Sequence, residues 1–194
     1  AEIAEPGVIR CVYGDKFALG EPDGSTSERI TRIAAVFEAG GFRAPVLDDI
    51  RSELWLKLWG NLCFNPISAL TRGTLDIVAS DPTTRDTAKA MMLEAQAIAE
   101  SLGASFRVDV ERRINGAAKV GKHRTSMLQD LEAGKAMEID ALVTAVQEMG
   151  RITGHATPTI DVVLGLVQQL AMNAGLYPTY PSESVDQGED IAAA

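Results

Sequence analysis

The sequence predicts a mainly α protein, with a large helical domain preceded by a short β-β-α-β segment. Strand-like runs occur in the first fifty residues, whereas from about Asp48 onward the apolar residues recur at helical spacing. The last residues, PSESVDQGEDIAAA, are acidic and poor in large apolar groups, which is typical of disorder. We therefore expect a β-containing segment at residues 1–48, an all-helical domain at 49–178 and a disordered acidic tail at 179–194.

The β-containing segment begins with two short strand-like runs, VIRCVY and KFALGE, joined by a turn at Gly14-Asp15. The helix SERITRIAAVFEAGG follows, and FRAPVL is a third strand-like run. Ser25 and Glu28 have capping-box spacing at the start of this helix, and the glycine pair at its end stops it. A segment of roughly 50 residues is too small for a complete nucleotide-binding domain, which needs two βαβαβ halves. Its sheet edges would need a cover.

Six helices are expected in the helical domain. The first contains KLWGNLCFNPIS and starts at Asp48 or Asp49, and Pro66 should bend or end it after Asn65. Capping residues, prolines and glycines bound the other five at these positions: Asp81-Pro82 to Gly103, Val108 to Ala118, Ser126 to Gly134, Glu138 to Gly154 and Thr157-Pro158 to Met172.

Composition excludes several classes of function. The net charge is −9, and because nucleic acids and anionic membranes are recognised by basic patches, neither is an expected partner. No run of about 18 apolar residues occurs, which excludes a membrane-spanning helix. Two histidines and two cysteines lie far apart, so no paired spacing of metal ligands is present. Cys11 and Cys63 are expected to be small reduced core residues, which suits the cytoplasm.

The sequence also reads as a piece of a longer protein. It starts with Ala1 rather than methionine, and AEIAEPGVIRCVYG resembles the middle of a chain. A basic-then-apolar secretory leader is not present. We expect a fragment or a processed chain.

The first candidate site lies in KLWGNLCFNPIS. Lys57, Asn61 and Asn65 are spaced four residues apart, so on a helix they share a face about 80° wide. The tryptophans, leucines and cysteine of this stretch fall on the neighbouring side. A solvated amphipathic face is one interpretation, yet the polar face carries three hydrogen-bonding groups and no carboxylate after Glu53. Such a face suits an anionic or carbonyl-bearing ligand.

Two further candidates lie in HRTSMLQD and MEIDALV. Ser126 and Gln129 have capping-box spacing, so a simple capped helix is one interpretation. The start of a helix also offers unpaired N–H groups, a positive dipole end and a hydroxyl, which together can hold a carboxylate. Glu138 opens the next helix, where a carboxylate is common for dipole reasons alone. Basic residues before Ser126 add positive charge: Lys122, His123 and Arg124.

The three pieces together resemble the C-terminal half of the ketopantoate reductase (2-dehydropantoate 2-reductase) family. The resemblance rests on Lys-x3-Asn-x3-Asn, on SMLQDLEAGKAMEID with its twelve-residue gap from Ser126 to Glu138, and on a final helix that starts with proline. DDIRSELWLKLWGNLCFNPISAL is similar to the family's interdomain helix, and the likeness extends to about Gly175. It implies that residues 1–48 are the remnant of a Rossmann-type domain and that the helical part is a substrate and dimerisation domain.

The resemblance implies an NADPH-dependent reduction of ketopantoate to pantoate, on the pathway to pantothenate and coenzyme A. By position, Lys57 matches the catalytic general acid, and Glu138 matches an acidic residue that organises the site beside it. Asn61 and Asn65 match side chains that hold the hydroxyl end of the substrate, and Ser126 matches the serine that binds its carboxylate. The chemistry favours the same residue types, because the alkoxide formed by hydride addition needs a proton donor or a cation.

The implied partners are a small 2-oxo acid, the protein's own N-terminal Rossmann domain and a second copy of the chain in a homodimer. Two departures from the family pattern leave other functions open. His123 stands where family members often have asparagine, which leaves the exact 2-oxo acid undefined. No G-x-G-x-x-G followed by a helix occurs, so NADPH would be bound mainly by a missing N-terminal part, and the isolated chain should be inactive. The alternatives are a helical dimerisation or binding module without activity, and a related 2-hydroxy-acid dehydrogenase with another substrate.

Overall fold

The computed structural model describes residues 2–11 and 14–178 of the chain. The acidic tail predicted at residues 179–194 lies outside the described residues. Within them the fold is mainly helical, which confirms the predicted class. The elements are β1 (Glu2–Glu5), β2 (Val8–Arg10), α1 (Glu28–Ala39), α2 (Ile50–Thr71), α3 (Leu75–Ser80), α4 (Pro82–Ser101), α5 (Val110–Ala118), α6 (Ser126–Glu132), a π-helical turn (Asp140–Thr144), α7 (Ala145–Thr153) and α8 (Pro158–Asn173).

The chain folds into two compact units. The first comprises Ala1–Trp59 and Ala99–Asp109, and the second comprises Gly60–Ile98 and Val110–Ala194. Helices α2 and α4 therefore each contribute residues to both units. The predicted domain boundary between residues 48 and 49 stays a prediction.

In the first unit, KFALGE and FRAPVL run side by side in parallel, and α1 is the crossover between them. The Phe17 N–H donates to the Arg43 carbonyl at 2.8 Å, and the Leu47 N–H donates to the Leu19 carbonyl at 2.7 Å. The predicted helix is present between these two runs, but the runs are joined only by isolated β-bridges and form no extended strands. Strand β1 was not predicted, and it forms an antiparallel hairpin with β2, which lies within VIRCVY. Gly7 makes this hairpin possible, because its φ of 82° is accessible to glycine at little cost.

The predicted capping box of Ser25 and Glu28 is wrong. Helix α1 begins at Glu28 itself, and Ser27 is the cap, with its hydroxyl oxygen accepting the Ile30 N–H at 3.2 Å. The Ser27 hydroxyl also donates to the carboxylate of Glu21, which is buried. This second contact fixes the serine in the capping position, and the spacing of residues along the sequence does not reveal it.

Pro66 was predicted to bend or end α2 after Asn65. The helix does not end there, because it continues through Pro66 to Thr71; the bend stays a prediction. Proline in a helix interior removes one hydrogen bond and costs about 3 kcal/mol. The residues that follow it offset this cost, because Ile67 and Ala69 are buried and a buried isoleucine contributes roughly 1.5–3 kcal/mol. Ser68 adds a hydrogen bond from its hydroxyl to the Gly73 carbonyl at 2.6 Å.

Two features of the second unit were not predicted. Helix α3 has only six residues, too few to show a helical repeat of apolar positions. The helix predicted from Glu138 is present, but Glu138 precedes it and its first turn is the π-helical one. Neither Cys11 nor Cys63 forms a disulfide bond. Cys63 is buried, whereas Cys11 is exposed, so the expectation that Cys11 is a core residue is wrong. Met91 and Met92 are fully buried and therefore belong to the core.

The start of α8 is capped from another helix. Thr157 occupies the predicted capping position, but its side chain makes no capping bond. The carboxylate of Glu94, on α4, accepts the Thr159 N–H at 2.9 Å and the Ile160 N–H at 3.0 Å. Both free donors at this helix end are thus satisfied by a residue more than sixty positions earlier in the chain.

The Glu94→Ala variant is expected to lower the free energy of unfolding by about 1–2 kcal/mol, since it removes a charged cap with two hydrogen bonds. Urea denaturation of the chain followed by circular dichroism measures this change. Glu148→Ala, which removes an exposed carboxylate from α7, is the matched control and should leave stability nearly unchanged. Equal stability of the two variants would contradict the capping role of Glu94.

None of the described helices is long and apolar enough to cross a membrane. Residues 2–11 and 14–178 also contain no group of three or more histidine, cysteine, aspartate or glutamate residues that could hold a metal ion.

Candidate functional site

A cavity of about 490 Å³ lies in the second unit, between α2, α3, α5 and the start of α6. Its lining contains hydrogen-bonding and cationic side chains but no carboxylate. The apolar part of the lining comes from Phe64, Leu75, Ala117 and Val120, and the polar part from Asn61, Asn65, Arg113, His123, Thr125, Ser126 and Gln129. A ligand with a negative charge would therefore meet donors without a competing anion.

Helix α2 supplies both asparagines of the cavity. Asn61 and Asn65 are one helical turn apart and both line it, Asn61 half-buried and Asn65 buried. On the other side of the helix, Leu62 and Cys63 are fully buried. The predicted division of this stretch into a polar face and a core face is therefore confirmed for these four residues. Burial raises the pKa of the Cys63 thiol to about 12, so this cysteine stays protonated and unreactive.

Asn65 meets Ser126 across 61 positions of sequence. The Asn65 side-chain amide donates to the Ser126 hydroxyl oxygen at 3.4 Å, which is long for a hydrogen bond and therefore weak. Ser126 is exposed and lines the cavity. Its hydroxyl hydrogen thus remains available to a ligand.

The capping box predicted for Ser126 and Gln129 is wrong by one residue. Thr125 is the cap of α6, and its hydroxyl oxygen accepts the Leu128 N–H at 3.3 Å. The side-chain amide of Gln129 donates a hydrogen bond to the Arg124 carbonyl at 2.8 Å. Threonine takes this position because its backbone is extended where the loop meets the helix. Ser126 is consequently the first residue of the helix, and the cap does not use its hydroxyl.

Arg113 and Gly60 were missed in the sequence. Arg113 lies on α5, half-buried, and its guanidinium group packs against α2 at Gly60, where any side chain would overlap it. The positive charge of Arg113 also favours the thiolate of Cys63, although burial outweighs it and the pKa of this thiol is raised. One signal was present: Arg113 falls on the same side of α5 as Val110 and Ala117, which are buried, so this arginine interrupts an apolar stripe.

Two predicted residues do not belong to the lining described above. Lys57 is exposed and lies in the part of α2 that belongs to the first unit. Glu138 is exposed and sits just before the π-helical turn of the second unit. The roles predicted for both remain predictions.

The first unit has a smaller cavity of about 260 Å³ with the opposite electrostatic character. Asp48, Asp49 and Glu53 line it, and its cation, Arg107, is neutralised by an ion pair with Glu53 at 2.6 Å. Carboxylates in the lining disfavour an anionic ligand. The cavity between α2 and α6 is therefore the better candidate for binding one.

Known proteins identify the architecture. Residues 49–171 match the family model described as ketopantoate reductase PanE/ApbA C terminal. A 2-dehydropantoate 2-reductase from Mesorhizobium japonicum is 60% identical over 176 residues, covering 91% of this chain and 54% of that protein. The crystal structure of 2-dehydropantoate 2-reductase from Methylococcus capsulatus has a TM-score of 0.74 and 32% identity, covering 82% of this chain and 55% of that one.

The ternary structure of D-mandelate dehydrogenase with NADH and anilino(oxo)acetate has a TM-score of 0.76, covering 86% of this chain and 70% of that one. At 19% identity this likeness shows a common fold alone. The chain spans about half the length of the curated relatives it matches. With most of its length matched by the family model, this chain belongs to the ketopantoate reductase family and contains the family's C-terminal domain.

Proposed function

We propose that this chain is the substrate-binding part of a 2-oxo acid reductase, which converts 2-dehydropantoate to pantoate in pantothenate and coenzyme A biosynthesis. The observation that carries the proposal is the cavity without carboxylates, in which Asn61, Asn65 and Ser126 come together. These three residues were selected in the sequence by their likeness to the family's substrate-binding side chains. A 2-oxo acid needs such a site, since it brings a carboxylate and a carbonyl that both accept hydrogen bonds.

Each residue of the cavity has a proposed task. Ser126 donates its hydroxyl hydrogen to the substrate carboxylate, and Thr125 leaves it free for this by capping α6. Asn61 and Asn65 hold the hydroxyl end of the substrate, and the amide of either side chain can donate and accept. The position of both asparagines on consecutive turns of one rigid helix supports this assignment, because it presents them to a single ligand.

Lys57 is the proposed general acid. Reduction of a 2-oxo acid adds a hydride to the carbonyl carbon and a proton to its oxygen, and an ammonium group can supply that proton. Support comes from the sequence, in which Lys57 precedes Asn61 by four residues, as in the Lys-x3-Asn-x3-Asn pattern of the family. The proposed task of Glu138 is the one that the family resemblance implies, which is to organise the site beside the catalytic lysine.

The cofactor is proposed to be NADPH, which would supply the hydride. The chain offers no G-x-G-x-x-G between a strand and a helix, so its residues do not by themselves fit the pyrophosphate of a dinucleotide. Cofactor binding is therefore assigned to an N-terminal Rossmann domain, and the isolated chain is expected to be inactive. We also propose that the full-length protein forms a homodimer and is located in the cytoplasm.

A second function is favoured by a specific observation. His123 lines the cavity where family members often carry asparagine, and its ring has a different shape and can carry a positive charge. A related 2-hydroxy-acid dehydrogenase acting on another 2-oxo acid would accommodate this exchange, and D-mandelate dehydrogenase shares the fold. A helical binding module without activity would not require donors converging on a cavity that lacks carboxylates.

The test is a steady-state assay of the encoded full-length protein. Oxidation of NADPH, and separately of NADH, is followed with 2-dehydropantoate and with phenylglyoxylate, the 2-oxo acid that corresponds to mandelate. We expect the highest kcat/KM with 2-dehydropantoate and NADPH. Preference for phenylglyoxylate would favour the second function, and oxidation of neither cofactor with any 2-oxo acid would favour the binding module.

A further inference from the structure

Arg113 gives the cavity a permanent positive charge. Of the described residues that line it, Arg113 is the only arginine or lysine, and none is an aspartate or glutamate. Arg113 is half-buried, and its guanidinium group carries a positive charge and N–H donors but no acceptor. A cation placed in this way is stabilised when an anion enters the cavity.

Three other basic residues near α5 and α6 form ion pairs with carboxylates. Arg85 and Lys89 both bind Glu111, at 2.6 and 2.7 Å, and Arg124 binds Glu132 at 2.8 Å. Arg113 differs from all three, because within residues 2–11 and 14–178 it forms neither an ion pair nor a hydrogen bond. Among the described residues, therefore, none competes with a ligand for its N–H donors.

Gly60 provides the space that the guanidinium occupies. A methyl group at this position would overlap the Nη2 atom of Arg113 and crowd its Cζ and Nε atoms. The guanidinium of Arg113 therefore lies against α2 at Gly60, the residue before Asn61. Glycine inside a helix is unfavourable by about 0.5–1 kcal/mol relative to alanine. Space for the guanidinium is a physical reason for its presence.

We propose that Arg113 binds the carboxylate of the 2-oxo acid substrate as an ion pair, and that Gly60 makes room for the guanidinium that does so. This inference rests on the proposed function. It adds that the cavity recognises the substrate by the negative charge of its carboxylate. Ser126 then contributes one hydrogen bond to the same carboxylate, whereas the arginine supplies the charge and a planar pair of donors that matches it.

The direct test compares two substrates in the full-length enzyme: 2-dehydropantoate and its amide, in which a neutral carboxamide replaces the carboxylate. Arg113→Leu is expected to raise the KM for the acid roughly 10- to 100-fold and to change the kcat/KM for the amide little. Arg113→Lys should recover part of the loss, because it restores the charge without the planar donors. Arg112→Leu removes an exposed arginine from the same helix and is the matched control.

A second variant tests the same inference with the arginine intact. Gly60→Ala is expected to displace the guanidinium and raise the KM for the acid roughly fivefold or more, while stability to urea is unchanged or higher. Gly165→Ala, at a helical position where a methyl group meets nothing within 4 Å, should show the same gain in stability without the change in KM.

The outcomes separate this inference from the proposed function. If the wild-type enzyme reduces neither substrate, the function is wrong, and calorimetric titration with 2-dehydropantoate decides the inference alone: weaker binding by Arg113→Leu supports it, and equal binding overturns it. If the wild type is active but Arg113→Leu lowers kcat/KM for acid and amide by the same factor, the arginine has a structural role and the inference is overturned.

Discussion

The Lys57→Ala variant of the full-length enzyme is expected to lose roughly 10²- to 10⁴-fold in kcat, the usual contribution of a positioned general acid. Its affinity for NADPH should stay close to that of the wild type, because the cofactor is assigned to another domain. Both kcat and kcat/KM should fall, because the lysine transfers its proton in the transition state. A residue that only bound the substrate would change KM and leave kcat unaltered. Stopped-flow measurement of NADPH oxidation checks the loss.

Three further variants sharpen this test. Lys57→Arg keeps the charge but holds its proton too tightly to donate it, so it should be almost as slow as Lys57→Ala. Small primary amines added to Lys57→Ala should restore part of the turnover, because they can deliver the missing proton. Lys119→Ala removes an exposed lysine from the second unit and should be fully active. Unchanged turnover in Lys57→Ala would refute the proposed role.

Short-range patterns in the sequence predicted most of the helices. The boundaries at Asp81-Pro82, Gly40, Gly103 and Gly154 agree with the structure within a few residues, because a cap or a left-handed glycine acts locally. The short α3 was missed, since it has too few residues to show a repeat.

The capping errors have one physical origin. At the start of α1 and of α6, neighbouring hydroxyl residues are alternative caps, and the sequence pattern selected the wrong one both times. At α1 the outcome depends on Glu21, which holds Ser27. At α8 the cap comes from Glu94 on another helix. Contacts of this kind depend on the tertiary structure, which spacing along one helix does not reveal.

The same limit applies to the candidate site. Asn61, Asn65 and Ser126 could be selected by their likeness to family patterns, and the structure brings them to one cavity. Arg113 could not be selected in this way. Its significance appears only where α5 packs on α2, because the space beside Gly60 and the missing ion pair are properties of the folded chain. The sequence therefore predicted three hydrogen-bonding residues of the candidate site but not Arg113, which carries its positive charge.

Adjacent hydroxyl residues at the start of α6 are expected to have separable roles. Ser126→Ala should raise the KM for 2-dehydropantoate roughly 10- to 100-fold, because it removes a hydrogen bond to a charged group. It should leave the free energy of unfolding nearly unchanged, since Thr125 caps the helix. Thr125→Ala should lower the free energy of unfolding by about 1 kcal/mol, the usual contribution of a cap.

Measuring both quantities for both variants distinguishes binding from capping. Thr125→Ser keeps the capping hydroxyl and should restore stability, which serves as the control for the backbone at this position. If Ser126→Ala instead loses as much stability as Thr125→Ala with no change in KM, then its hydroxyl supports the helix and not the substrate. Of the residues assigned to the substrate in the cavity, the two asparagines and Arg113 would then remain, and recognition of the carboxylate would be assigned to the guanidinium.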